Sequence, residues 1–299
     1  MNLSDPSSVS CYDMIAPINE SHQVYLVRHQ ESGRLFVKKI LSVYSADIYR
    51  KIRRHPVAGI PVIAASCEED GRLIVIEEFI SGNTLSDLIE LTGRSEAAPY
   101  GSPESTCPSS VIPNEPLTIP KIGRYMIKLC EILERLHSLD PPVIHRDIKP
   151  SNIMVTACDT VVLLDLNAAR YYSGRPGRSA DTRLLGTHGY AAPEQYGFRE
   201  SSPQTDLFSV GITLREIMDA LPHEDHTFDP VIARCTQMDP SKRYASAGAL
   251  KAAIRRRLIW HDPAYFLRHI TFAPKIRFPA RPTLLQKYYT TIANFCSMD

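Results

Sequence analysis

The stretch His145-Arg146-Asp147-Ile148-Lys149-Pro150-Ser151-Asn152 constrains this chain more than any other. It sets an imidazole, a guanidinium, a carboxylate, an ammonium and an amide in the order H-R-D-x-K-P-x-N. Side chains of these types can do chemistry together: a carboxylate such as Asp147 can accept a proton, and an amide oxygen such as that of Asn152, five residues on, can ligate a hard cation. Lys149, two residues after the Asp, is placed to neutralise charge that develops in a reaction. His-Arg-Asp alone arises readily by chance; eight residues in this order do not.

At 299 residues the chain can bury a sizeable core, as one large domain or a domain of two lobes. Its 43% hydrophobic and 22% charged content is that of an ordinary globular protein. A net charge of +1 calls for no nucleic-acid partner, and none is expected. The charge is uneven, however: from Lys251 onward nine Lys/Arg face two Asp/Glu, leaving 25 against 31 in the rest. Seven Cys, an odd count without a C-x-x-C pair, argue against a disulfide framework or a zinc site and for a reducing compartment. The first residues lack the basic and apolar regions of a secretory leader, and no apolar run approaches the roughly 20 residues of a membrane span. A cytoplasmic location is the expectation.

Along the chain, Val24-Tyr25-Leu26-Val27 and Leu35-Phe36-Val37-Lys38-Lys39-Ile40 flank a Ser32-Gly33 turn in the manner of strands. A helix is predicted over Ser45 to Arg54, ending before His55-Pro56. Two more strands surround Glu69-Asp70-Gly71, the second running into Glu77-Glu78-Phe79-Ile80-Ser81-Gly82. Residues 92–120 carry six prolines among Ser and Gly, which predicts a mobile insertion between two helices. Ile122, Met126, Leu129, Ile132, Leu133 and Leu136 then recur at helical spacing and form core. A short hairpin follows Asn152 and ends at Asp165-Leu166-Asn167; a polar basic segment leads from there to Gly186-Thr187-His188-Gly189-Tyr190-Ala191-Ala192-Pro193-Glu194. In the tail, residues 258–299, Leu284, Leu285, Tyr288, Tyr289, Ile292 and Phe295 fit a short amphipathic helix, docked on the chain's own surface or making a weak contact with an acidic membrane or a partner.

Taken together, the octapeptide, the D-L-N at residues 165–167 (18 residues after Asp147) and the G-T-x-x-Y-x-A-P-E run resemble the eukaryotic-like (Hanks-type) serine/threonine protein kinases, bacterial members especially. The resemblance implies an α+β, two-lobed fold: residues 1–11 as an N-terminal extension, a kinase domain over 12–257 with a β-rich N-lobe to about residue 80 and a mainly helical C-lobe, and the basic aromatic tail. It implies ATP with Mg²⁺ or Mn²⁺ as cofactors, protein substrates, and transfer of the γ-phosphoryl to Ser/Thr hydroxyls, with autophosphorylation. Asp147, Lys149 and Asn152 take the catalytic positions, and Asn152 and Asp165 the metal positions. Lys38 takes that of the strand lysine at the phosphates, and Glu78 and Ile80 those of the backbone groups at the adenine edge. His145, Arg146, Thr187, Glu194, Asp206 and Arg243 support the site, with Glu194 pairing Arg243 and Asp206 bracing the catalytic loop. Arg146 beside Asp147 can bind a phosphate on the activation segment, for which Thr182, Ser179 and Ser173 are candidate acceptors.

Three departures stand out. The family's glycine-rich loop falls on Pro17, Asn19 and His22, none of which is Gly, so backbone approach to phosphates is restricted. The helix over 45–54 has no Glu to pair with the strand lysine, and its one acid, Asp47, is assigned to that role. Glu77 sits at the gatekeeper position and needs a partner if buried. Two rival readings follow: a pseudokinase serving as a nucleotide-binding or scaffold module, and a small-molecule kinase of the same fold, which would lack the A-P-E segment.

Overall fold

The computed structural model describes residues 7–94, 116–174, 186–197 and 200–261. Ser179, Thr182, most of the 92–120 insertion and nearly all of the tail lie outside the described residues. In chain order the elements are α1 (Ser7–Ser10), β1 (Tyr12–Asn19), β2 (Val24–His29), β3 (Leu35–Leu41), α2 (Ala46–Arg54), β4 (Ile63–Glu69), β5 (Arg72–Glu78), β6 (Gly82–Thr84) and α3 (Leu85–Arg94). There follow α4 (Ile119–His137), β7 (Val143–Ile144), β8 (Ile153–Thr156), β9 (Val161–Leu163), β10 (Arg170–Tyr171), α5 (Pro203–Asp219), α6 (Asp229–Cys235) and α7 (Ala247–His261).

The N-lobe is an antiparallel sheet of order β1-β2-β3-β5-β4. Side chains alternate across a strand, so the sheet has two faces. One buries Val27, Ala65, Cys67 and Ile76 beneath Val9 of α1. The other buries Leu41, Ile63, Leu73 and Val75 against Ile48, Tyr49 and Ile52 of α2. Asp47 in the first turn of α2 and Lys51, Arg53 and Arg54 in its last complement the helix dipole.

The C-lobe is built on α4, whose predicted stripe is buried throughout. Gly123 lets α7 approach α4 closely: a Cβ there would lie 2.5 Å from Leu258 Cδ2. At the base of the insertion, the Thr92 hydroxyl donates to Leu88 O at 2.7 Å and accepts from the Leu117 N–H at 3.1 Å, which closes the chain between α3 and α4. The lobes meet where the Leu163 N–H donates to Gly59 O at 2.8 Å and Arg135 Nη1 to Ala58 O at 3.3 Å. Gly59 has a φ of +92°, and a Cβ there would meet Ile132 Cγ1 at 2.4 Å, so the crossing demands glycine. Strands β6, β8 and β9 form a small sheet and β7 pairs β10, so the octapeptide lies between two paired strands, β7 and β8. Among the described residues no helix is long and apolar enough to cross a membrane.

Candidate active site

Asp206, buried in the first turn of α5, shapes the loop after β7. Its carboxylate accepts the backbone N–H groups of His145 (3.0 Å) and Arg146 (2.8 Å) and lies 2.7 Å from His137 Nε2. Burial alone would raise its pKa, but the hydrogen bond and charge of His137, the charge of His145 and the Arg146 N–H hold it below the usual range. His145 Nε2 lies 3.0 Å from Leu164 O, tying the loop to the segment that carries Asp165. Arg146 and Asp165 have φ of +72° and +68°. Left-handed backbone at non-glycine residues costs energy, and these two flank the site.

So placed, Asp147 is gripped through both oxygens. Its Oδ1 accepts the Thr187 N–H (3.0 Å) and hydroxyl (2.8 Å); its Oδ2 accepts Asn152 Nδ2 (3.0 Å) and lies 3.2 Å from Lys149 Nζ. Lys149 Nζ also donates to Thr187 Oγ1 at 2.6 Å, which makes Lys149, Thr187 and Asp147 a closed triangle. Burial pushes the Asp147 pKa up, but the Lys149 ammonium, the Thr187 hydroxyl and the His145 charge bring it below the ordinary value, so the group is a carboxylate at neutral pH. Asn152 spends its amide N–H groups on Asp147, on the side chain and on the carbonyl (2.8 Å). That leaves its Oδ1 as the end able to meet a cation. Asp165 Oδ1 is buried without a hydrogen bond among the described residues. A buried carboxylate oxygen in that state, with Lys39 Nζ 3.9 Å away, suits a hard cation.

The A-P-E turn is anchored from below. Glu194 accepts Arg243 at 2.7 and 2.9 Å through both oxygens and the Thr205 hydroxyl at 2.8 Å, with Glu194 and Arg243 both buried. Gln195, which the sequence reading passed over, donates to Arg146 O at 2.9 Å and so joins this turn to the catalytic loop.

The profile of the protein kinase domain matches residues 20–238. The chain belongs to the protein kinase family. Relatives include a leucine-rich repeat receptor-like serine/threonine-protein kinase of Arabidopsis thaliana, 28% identical over 200 residues covering 64% of this chain and 20% of that protein. A receptor-like protein kinase of the same plant is 31% identical over 167 residues, covering 56% of this chain and 32% of its own. The serine/threonine-protein kinase PknD of Chlamydia abortus is 24% identical over 249 residues, covering 68% and 25%. The chain thus spans a third or less of the length of these relatives.

In this kinase fold two assignments made from sequence move. Lys38 does not reach the cleft. It lies on the outer face of the sheet, paired in register with Tyr25 and Ile76, and its charge acts on Cys67 of the outer cluster. Lys39, one residue on, faces inward: it is buried, with Nζ 2.7 Å from Glu77 Oε2 and 3.9 Å from Asp165 Oδ1. A slip of one residue along a strand exchanges the faces, and V-K-K offers two lysines to choose from. The signal that separates them is the register: Lys39 opposes Val75 and shares a face with Leu41, while Lys38 opposes Ile76. Burial alone would lower the Lys39 pKa, but the charges of Glu77 and Asp165 and the Glu77 hydrogen bond outweigh it and raise it.

Asp47 is also misplaced. Its side chain is 71% exposed and ion-paired with Arg50, away from the cleft. Two positions on, half a helical turn away, Tyr49 is fully buried and donates its hydroxyl to Asn167 Oδ1 at 2.8 Å. At the hinge, the Glu78 N–H is engaged with Val62 O at 2.8 Å and is not available to an adenine edge, while Ile80 lies in the connection to β6. The Gly-free turn between β1 and β2 is held by Asn19, whose Oδ1 accepts the Ser21 hydroxyl (2.8 Å) and the His22 N–H (3.2 Å).

Proposed function

We propose that the chain is a serine/threonine protein kinase transferring the γ-phosphoryl of Mg²⁺-ATP to protein hydroxyls. The observation that carries this is the Asp147–Thr187–Lys149 triangle: a carboxylate held ionised beside a positive charge, oriented by a threonine from the A-P-E segment. Asp147 would accept the hydroxyl proton of the substrate Ser or Thr, and Lys149 would hold negative charge on the phosphoryl in flight. Lys39 would steady the nucleotide phosphates. The Glu78 carbonyl and the Ile80 N–H would meet the adenine edge. Asp165 and Asn152 would hold the magnesium, whose chemistry when bound is neutralisation of phosphate charge. The kinase domain is assigned to residues 12–257.

Autophosphorylation belongs to the same proposal, with Thr182 and Ser179 as acceptors ahead of Ser173. The Ser173 hydroxyl donates to Glu200 Oε1 at 2.7 Å, and a phosphate there would face that carboxylate.

The test is incubation with Mg²⁺ and γ-labelled ATP beside an Asp147→Asn variant, followed by phosphosite mapping. Label on Ser or Thr is expected in the wild type, with transfer down by on the order of 10²-fold or more in the variant. Nucleotide binding without label, across a panel of protein substrates and divalent metals, would replace this reading with the pseudokinase one.

A further inference from the structure

Lys39 has a carboxylate partner, but helix α2 does not supply it. Glu77 lies near the end of β5, on the strand paired with β3, two residues on from the partner of Lys39 and on the same face. The two side chains are buried, and Nζ and Oε2 stand 2.7 Å apart. Helix α2 brings no acid to this place, because Asp47 points to solvent and pairs with Arg50. What α2 brings is Tyr49, close enough to Glu77 and Asp165 that burial, and then their charges, push its pKa well up, with its hydroxyl on Asn167.

We infer that Glu77 is the positioning residue for Lys39, held within the sheet, and that α2 acts instead on the loop carrying Asp165 through the Tyr49–Asn167 hydrogen bond. This rests on the kinase reading of the cleft. Its consequence is a separation of two roles. The lysine and its carboxylate ride on adjacent paired strands and stay together wherever α2 stands. A displacement of α2 breaks the brace on Asn167, two residues after Asp165, and loosens the metal position while leaving the Lys39–Glu77 pair in place. Regulation through α2 would then be read as a change in metal requirement, with the affinity for nucleotide phosphates preserved.

The experiment compares Glu77→Gln, Glu77→Asp and Tyr49→Phe in the full chain, measuring KM for ATP, kcat, and the Mg²⁺ concentration giving half-maximal rate. Glu77→Gln is expected to raise KM for ATP several-fold and to lower kcat; Glu77→Asp, which keeps the charge on a shorter arm, recovers part of both. Tyr49→Phe is expected to leave KM for ATP at saturating Mg²⁺ unchanged and to raise the Mg²⁺ requirement several-fold. A second measurement is independent of turnover: urea midpoints for Lys39→Met, Glu77→Met and the double variant. Lys39→Met leaves Glu77 buried without its ammonium, and Glu77→Met leaves Lys39 only the more distant Asp165 at 3.9 Å, so each lowers the midpoint, whereas the double recovers most of the loss. That cycle still reports if no phosphotransfer is found, so failure of the kinase reading is told apart from failure of this one. The inference is overturned if the Lys39 and Glu77 effects simply add, or if Tyr49→Phe raises KM for ATP as much as Glu77→Gln does.

Discussion

At the scale of single residues, the site turns on which side chains share a face. Lys38 and Lys39 are chemically identical and adjacent, yet one sits on the outer face near Cys67 and the other meets Glu77 and Asp165. Lys39→Met is therefore expected to reduce phosphotransfer by on the order of 10²-fold, the scale of deleting one preorganised charge in a low-dielectric site. Lys38→Ala should keep the wild-type rate and remain within about 0.5 kcal/mol in stability. Steady-state kinetics on both, with urea unfolding as the folding control, checks this; the reverse pattern would restore Lys38 to the cleft. Buried Glu77 needing a partner was legible in the sequence, but the identity of that partner was not. Pairing is decided by register across β3 and β5.

At the scale of elements, the chain reuses short segments as braces. The turn Pro193–Tyr196 is fixed to α5 and to the loop before α7 by Glu194, Thr205 and Arg243, and to the catalytic loop by Gln195. Glu194→Gln leaves the Arg243 guanidinium buried without its counter-charge, and a loss of about 3–5 kcal/mol is expected. Glu194→Leu combined with Arg243→Met should recover part of that, since removing both charges avoids the unpaired one. Chemical denaturation of the single and double variants decides it; a single variant within experimental error of the wild type would show the pair to be dispensable. The Glu194–Arg243 pair was named from sequence because the A-P-E and D-P-S-K-R runs are each recognisable. Gln195 was not, since a lone glutamine in a loop carries no pattern.

At the scale of the whole molecule, both lobes depend on polar groups held charged inside the fold. Asp206 joins α4, the catalytic loop and α5 through His137, His145 and Arg146. Its pKa is lower folded than unfolded, so it contributes stability above the unfolded carboxylate value of about 3.9 and loses that contribution as pH falls through the folded value. Asp206→Asn is expected to destabilise the protein by about 1–3 kcal/mol at neutral pH. The gap to wild type should narrow as the pH drops below about 4. Urea unfolding at stepped pH tests this; a gap that stays constant down to the acid limit would mean that the carboxylate's charge is immaterial. By itself the sequence determined the α4 stripe, which depends on periodicity, and singled out Asp147, Lys149 and Asn152, which stand at fixed short spacing; the fold class, Asp165 and Thr187 were named only through the resemblance of their motifs to the family. Only the tertiary structure decided that Lys39 and not Lys38 enters the cleft, that Glu77 holds it, and that Tyr49 stands where an acid was sought. Those choices join positions 38 residues apart (Lys39 and Glu77) or 118 apart (Tyr49 and Asn167), and such contacts are set by strand register and by the packing of α2 on the sheet.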